Sequence, residues 1–172
     1  MTNRAFIALG TNLSHDGLGG PSLLGRAVQH IEQAGFVIGA RSGVWRSHAW
    51  PAGVGQPDYH NAVVEADIGA LQPEQVFAIL VGVECAFGRV RRERWGARTL
   101  DLDILAMGSF VGVFGGIELP HPRMAERAFV VLPMAEIAPG WRHPIVGLSV
   151  SDIAQALAPG HGCRRICDLV GK

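Results

Sequence analysis

Asp101-Leu102-Asp103 sets two carboxylates two residues apart inside an apolar run from Leu100 to Leu105. In an extended strand successive side chains alternate between faces, so both acids share one face with Cα atoms about 6.6 Å apart. Two like charges at ~6 Å repel by roughly 0.7 kcal/mol in water and nearly 3 kcal/mol at an effective dielectric of about 20. A divalent cation removes that cost. Oxygen ligands of this kind suit Mg²⁺, which takes one or two protein carboxylates and fills its other positions with water and substrate phosphates. Just upstream, Arg89 to Arg98 holds five arginines and one glutamate in ten residues. Their guanidinium forks match phosphate oxygens. A hard-metal pair beside an arginine loop is the equipment of phosphoryl-type transfer, where the protein mainly positions reactants and neutralises charge. A lone D-x-D is usually an exposed strand face, and arginine is used throughout this chain, with Lys172 its only lysine. The adjacency of the two features, together with the flanking Trp95-Gly96, sets the chemical reading level with that plain one.

A nucleotide would not be held by a P-loop. Gly17-Leu18-Gly19-Gly20-Pro21-Ser22 is glycine-rich but lacks the G-x-x-x-x-G-K-[ST] pattern, and no G-x-G-x-x-G follows a strand.

The elements that must position these residues are legible in outline. Ala5–Leu9 reads as a buried strand ending at Gly10-Thr11-Asn12. Leu24, Ala27, Val28, Ile31 and Ala34 recur at helical spacing, with Pro21 near the start and Gly35 past the end. Phe36 to Trp45 reads as a second strand, Ser47 to Pro57 as a long loop, and Ala62-Val63-Val64-Glu65 as the start of a third strand. Pro73 opens a helix carrying Val76, Phe77, Leu80, Val83, Glu84 and Phe87, closed by Gly88. The Asp101–Asp103 strand follows. The order β-α-β-β-α-β predicts an α+β, ferredoxin-like plan: an antiparallel sheet with two helices on one face. Extra C-terminal helices are expected at 127–137 and near 151–157.

At 172 residues the chain is expected to form a single domain, 1–172. Hydrophobic residues make up 48% and charged residues 17%, which excludes a disordered polyelectrolyte. Fifteen basic and fifteen acidic residues cancel, so no bulk field draws the protein to nucleic acid or anionic lipid. No run approaches the ~18–20 apolar residues of a membrane span, and the six from Ala5 to Gly10 are too few for a signal peptide. A cytoplasmic protein is expected. Its three cysteines agree, and Cys163 and Cys167 read as free thiols at helical spacing rather than a zinc pair.

Arg94-Trp95-Gly96-Ala97-Arg98-Thr99-Leu100-Asp101-Leu102-Asp103-Ile104-Leu105 resembles the signature of the 6-hydroxymethyl-7,8-dihydropterin pyrophosphokinases. Further stretches match in order and spacing: Gly10-Thr11-Asn12-Leu13, Gln56 to Val63, Leu119 to Met124, Arg127 to Val130, and Glu136-Ile137-Ala138-Pro139. The resemblance runs over about residues 5–158. It implies a magnesium-dependent diphosphotransferase of folate biosynthesis that moves pyrophosphate from the co-substrate ATP to the pterin's hydroxymethyl group, releasing AMP. It also implies a cytoplasmic monomer whose partners are these small molecules, not nucleic acid or membrane.

By the same resemblance, two Mg²⁺ ions sit on Asp101 and Asp103, while Arg89 and Arg98 meet the phosphates during transfer. Arg91 or Arg92, together with Arg94, closes over ATP; Glu84, Ile104, His121 and Arg127 are further nucleotide contacts. Trp95 serves as a lid. Tyr59 and Phe129 sandwich the pterin, Asn61 reads its polar edge, and Ser47 and Trp50 belong to the loop that adds hydrogen bonds. Stacking supplies affinity, and an amide carries both donors and an acceptor for a ring edge bearing both. Ala97 stands where the family usually has proline. No dedicated general base is expected, because magnesium can lower the pKa of a bound oxygen. Two other classes fit the same fold: an RNA-binding module using the arginine loop as its basic patch, and a regulatory ligand domain without turnover. A strand presenting aspartates disfavours the first.

Overall fold

The computed structural model describes residues 3–48, 57–88, 99–157 and 162–170. Alternation along β1 (Arg4–Thr11) sets Ala5, Ile7 and Leu9 on one side of the sheet and Phe6 and Ala8 on the other. Both sides are covered, so β1 lies at the centre. It pairs antiparallel with β4 (Tyr59–Asp67) and with β5 (Asp101–Met107). Beyond β4 lie β2 (Val37–Arg41) and β3 (Gly43–Ser47), and β8 (Arg164–Asp168) adds to β3, giving the strand order β5-β1-β4-β3-β8 with β2 also on β4. The fold is α+β, a mixture of helices and antiparallel sheet.

Two helices cover the first face. α1 (Gly20–Gln33) buries Leu23, Leu24, Ala27, Val28 and Ile31, the stripe expected from a 3.6-residue period. It ends at Gly35, whose φ of +101° suits only glycine. α2 (Pro73–Ala86) starts with Pro73 and a reciprocal Gln72–Gln75 capping box, and Gly88 (φ +68°) follows its end. Their apolar faces join Val64, Ala66, Leu102 and Ile104 in one core. The opposite face is covered by α3 (Ala128–Ile137) and α4 (Val150–Leu157), which pack on Phe6, Val63, Leu105 and Ala106. The α4 N-terminus is held by Ser149 and Asp152, each side chain accepting the other's backbone N–H at 3.1 and 3.3 Å.

Three expectations need correction. The predicted strand Phe36–Trp45 is two strands, broken at Ser42, whose buried hydroxyl accepts the Val63 N–H at 2.9 Å and donates to the Gly43 carbonyl at 2.7 Å. A side chain takes over a rung of the ladder there, and the strand turns. The segment after Gly108 contains a hairpin, β6 (Gly112–Phe114) and β7 (Ile117–Leu119), turned by Gly115 and Gly116, both at positive φ. Cys167 lies not on a helix but in β8, opposite Val44; the three cysteines form no disulfide. Among the described residues no helix is long and apolar enough to cross a membrane.

The chain after β8 returns to α1, where a Cβ on Gly25 would stand 2.3 Å from the Val170 carbonyl oxygen. Backbone on one side and helix on the other leave no room for it. Gly25→Ala gains about 1 kcal/mol of helix propensity but is expected to lower stability overall, because overpacking costs about 1–3 kcal/mol or more. Thermal unfolding should show the midpoint down by several degrees, at roughly 2–4 °C per kcal/mol for this length. A midpoint equal to or above wild type contradicts this.

Candidate functional site

The register of three strands assembles the site. Gly10 of β1 pairs with Asp101 of β5 on one side and with Asn61 of β4 on the other, and Asn61 pairs in turn with Trp45 of β3. Directly paired residues in an antiparallel sheet point to the same face. Asp101, Asn61 and Trp45 therefore line up across the sheet on the α3 side. One step along β5, Asp103 stands opposite Ala8; one step along β4, Tyr59 stands opposite Ser47. Gly10 leaves the floor between amide and carboxylate bare: a Cβ there would meet Asn61 Oδ1 at 3.5 Å and the Asp101 Cβ at 3.9 Å.

Asn61 and Ser47 are buried polar residues, and the Asn61 amide nitrogen donates to Ser47 Oγ at 2.9 Å. That bond fixes which way the amide faces. Below them, Arg46 and His48 both reach Asp58, at 2.7 and 3.1 Å, and hold its carboxyl below the usual range. Asn12 donates to the Pro57 carbonyl at 3.3 Å.

From the other side come the residues around the start of α3. Arg127, at its N-cap, sets a guanidinium nitrogen 3.8 Å from Asp103 Oδ2, and its central carbon lies 5.8 Å from the Phe129 ring centroid. One cation thus touches both a half-exposed carboxylate and a half-buried aromatic face. His121 follows the cis Leu119–Pro120 bond, and its N–H donates to the Leu105 carbonyl at 2.7 Å. Its Nδ1 accepts the Arg123 N–H at 3.1 Å, which leaves the proton of a neutral ring on Nε2. Burial lowers its pKa first, the nearby Asp103 charge raises it, and Arg127 and Arg123 lower it again.

Of the residues expected at the site, the structure brings together Ser47, Tyr59, Asn61, Asp101, Asp103, His121, Arg127 and Phe129. Two others lie elsewhere. Ile104 points to the opposite face, buried with α1 and α2, because strand alternation turns it away from the aspartates. Glu84 is buried on α2, and its Oε1 accepts the Leu102 N–H at 2.7 Å, between the two aspartates along the backbone. Trp50, Arg89, Arg91, Arg92, Arg94, Trp95 and Arg98 lie outside the described residues. The residue that sequence reasoning missed as a ligand of the site strands is Glu136, on α3, which accepts from Gly43, Trp45 and Arg165. Its only signal was its place in a matching motif.

The donor set fits magnesium. Two carboxylates share one strand face, Asp103 being 40% exposed. Among the described residues no cluster of three or more His, Cys, Asp or Glu side chains could hold a metal. Two carboxylates can hold Mg²⁺, which commonly takes one or two protein carboxylates and fills its other positions with phosphate oxygens and water.

Comparison with known proteins identifies the family that the chain resembles. The profile of the 7,8-dihydro-6-hydroxymethylpterin-pyrophosphokinase (HPPK) family matches residues 6–139. A 2-amino-4-hydroxy-6-hydroxymethyldihydropteridine pyrophosphokinase of Synechocystis is 36% identical over 154 residues, covering 88% of this chain and 74% of the relative. Its namesake from Pseudomonas aeruginosa is 37% identical over 145 residues, covering 84% and 86%. Among solved structures, the HPPK-DHPS of Plasmodium falciparum with pteroate superposes with a TM-score of 0.73 at 10% identity, over 96% of this chain and 48% of that one. The likeness there is one of fold, and this chain spans about half the length of that protein.

The environment of His121 has a pH consequence. Its folded pKa lies below 6.5, so the stability gained by keeping the ring neutral is complete above pH 6.5 and is lost as pH falls through the lowered folded value. In NMR titration of the imidazole nitrogens, His121 should show the Nε2–H tautomer and a midpoint below 6.5. A midpoint above that value, or a proton on Nδ1, contradicts the geometry.

Proposed function

This chain belongs to the 7,8-dihydro-6-hydroxymethylpterin-pyrophosphokinase family, and from that membership we propose a division of labour among its own residues. It transfers pyrophosphate from ATP to 6-hydroxymethyl-7,8-dihydropterin in folate biosynthesis. In our reading this is a magnesium-dependent diphosphotransfer, with two Mg²⁺ ions held by Asp101 and Asp103. The observation that carries it is the row Asp101–Gly10–Asn61: paired strands set a carboxylate and a fixed amide side by side on one face. When bound, magnesium supplies neutralisation of the triphosphate charge.

The remaining work belongs to the chain. Asn61, oriented by Ser47, reads the donor and acceptor edge of the pterin, and Tyr59 and Phe129 stack on its faces. Arg127, in reach of both Phe129 and Asp103, draws phosphate oxygens over the ring and sets the hydroxymethyl oxygen against the β-phosphorus. His121 donates from Nε2 to a phosphate oxygen while remaining uncharged. Arg89, Arg91 or Arg92, Arg94, Arg98 and Trp95 complete the phosphate clamp and lid, with Trp50 beside the pterin. Glu84 supports the strand of the aspartates, and Ile104 contributes through the rigidity of that strand.

We read the core as ferredoxin-like, supported by β5-β1-β4 followed by β2 and β3, with α3 and α4 as C-terminal additions on the opposite face. We assign the protein to the cytoplasm as a monomer of one domain. A composition of balanced charge and three thiols without a disulfide supports a reducing compartment.

The test is AMP release that requires both hydroxymethyl-dihydropterin and Mg²⁺, and stops on chelation. Asp101→Ala and Asp103→Ala should each cut kcat by about 10²–10³ or more, the usual loss when a preorganised charge contact is removed, with circular dichroism unchanged. Near-normal turnover in both variants refutes the metal assignment. Phe129→Ala should weaken pterin binding by about tenfold, some 1.4 kcal/mol of stacking, and leave ATP binding within about twofold in calorimetry. Equal losses for the two ligands contradict the stacking role.

A further inference from the structure

Ser47 can orient Asn61 only if β3 is itself fixed, and a carboxylate on the neighbouring helix fixes it. In the last turn of α3, Glu136 Oε2 accepts the Gly43 N–H at 2.8 Å and the Arg165 Nε–H at 3.3 Å, and its Oε1 accepts the Trp45 indole N–H. Three donors from two strands converge on one side chain. Arg165 reaches it by lying across Gly43, where a Cβ would stand 2.4 Å from the guanidinium Nε. On its far side Arg165 is paired with Asp168 of the same strand, which raises its pKa further. Two of the three anchors lie within four residues of Ser47, and Trp45 is the direct cross-strand neighbour of Asn61.

We propose that Glu136, oriented by Arg165, is a positioning residue for the pterin site: it fixes β3 so that Ser47 presents its hydroxyl to Asn61. The proposal rests on the pterin reading of Asn61. The half-exposed Arg165–Glu136 ion pair adds little stability by itself; its effect is geometric. Asn61 offers donors on one side of its amide and an acceptor on the other, and the Ser47 bond selects between them. If β3 shifts, the amide is free to turn, and the pterin edge meets donor with donor. Arg165 lies in β8, beyond residues 6–139 that match the family profile. The C-terminal strand therefore acts on substrate recognition without touching substrate.

The experiment measures kcat and KM for each substrate by AMP release, using the full chain with saturating Mg²⁺. Glu136→Ala should raise the pterin KM about tenfold, the loss of one hydrogen bond's selection at the ligand, with the ATP KM and kcat at saturating pterin changed by no more than about twofold. Glu136→Gln, which keeps one acceptor, should restore part of the difference, and Arg165→Ala should show a smaller rise in the same constant. Asn61→Ala should raise the pterin KM by itself, and adding Glu136→Ala to it should raise it no further. Variants that lower the melting temperature but leave the pterin KM at wild-type value overturn the proposal, as does an additive double variant. If Asn61→Ala leaves the pterin KM unchanged, the pterin reading fails and this inference with it. Should Glu136→Ala not fold, Glu136→Gln and Arg165→Ala decide by the same constants.

Discussion

The site depends on the register of β1 between its two partners. Because Gly10 is paired with both Asn61 and Asp101, a buried amide and a carboxylate on the same sheet face lie one strand to either side of a bare backbone. A slip of one residue in the β1–β5 pairing would turn Asp101 and Asp103 into the α1/α2 core and expose Leu102 and Ile104. Burying two carboxylates there without partners costs several kcal/mol each, so the hydrophobic alternation of β5 and the placement of its acids enforce each other. Gly10 is not demanded by sterics, since a Cβ would make ordinary contacts at 3.5 and 3.9 Å. Its absence of a side chain matters for what must pass between amide and carboxylate.

The two faces of the sheet are used differently. α1 and α2 seal one with an apolar core broken at β5 by the buried Glu84, whereas α3 and α4 cover Phe6, Val63, Leu105 and Ala106 and leave the row of Gly10 to the site. α3 begins beside the aspartates, and its first residues carry Arg127 and Phe129. The helix thus brings positive charge and an aromatic ring to that end of the sheet, while its last turn, through Glu136, grips the far strands. One ten-residue helix ties the end of the sheet that carries the aspartates to β3 and β8.

How far this was legible in the sequence varied with the physics behind each signal. The period-two alternation of Leu100 to Ile104, and the proline and glycine boundaries of α1 and α2, are local signals, and the structure follows them. The break at Ser42 was not legible, because it depends on a hydroxyl meeting the Val63 N–H of another strand. Gly115-Gly116 was a readable turn signal obscured by the apolar stretch around it. Cys163 and Cys167 have a spacing that suits a helix, yet a bulge between Val44 and Trp45 lets β8 follow β3 instead. Among the candidate site residues, Asp101 and Asp103 stood out by their spacing together with the adjacent arginines. Tyr59, Asn61, His121 and Phe129 became candidates only through likeness to a family, because nothing local distinguishes a stacking ring from a core ring.

Glu84, expected among the nucleotide contacts, has in the structure a task that its sequence position did not show. A carboxylate buried on an apolar helix is costly unless hydrogen-bonded, and here Oε1 receives the Leu102 N–H at 2.7 Å. Among the described residues β5 is an edge strand, with no strand paired on its outer side to take that N–H. The same bond anchors the backbone midway between Asp101 and Asp103. Edge position leaves the two acids open on one side, and edge position alone would leave their spacing loose. A helix carboxylate at that one amide reconciles the two demands, which accounts for a charged residue where the α2 periodicity asks for an apolar one.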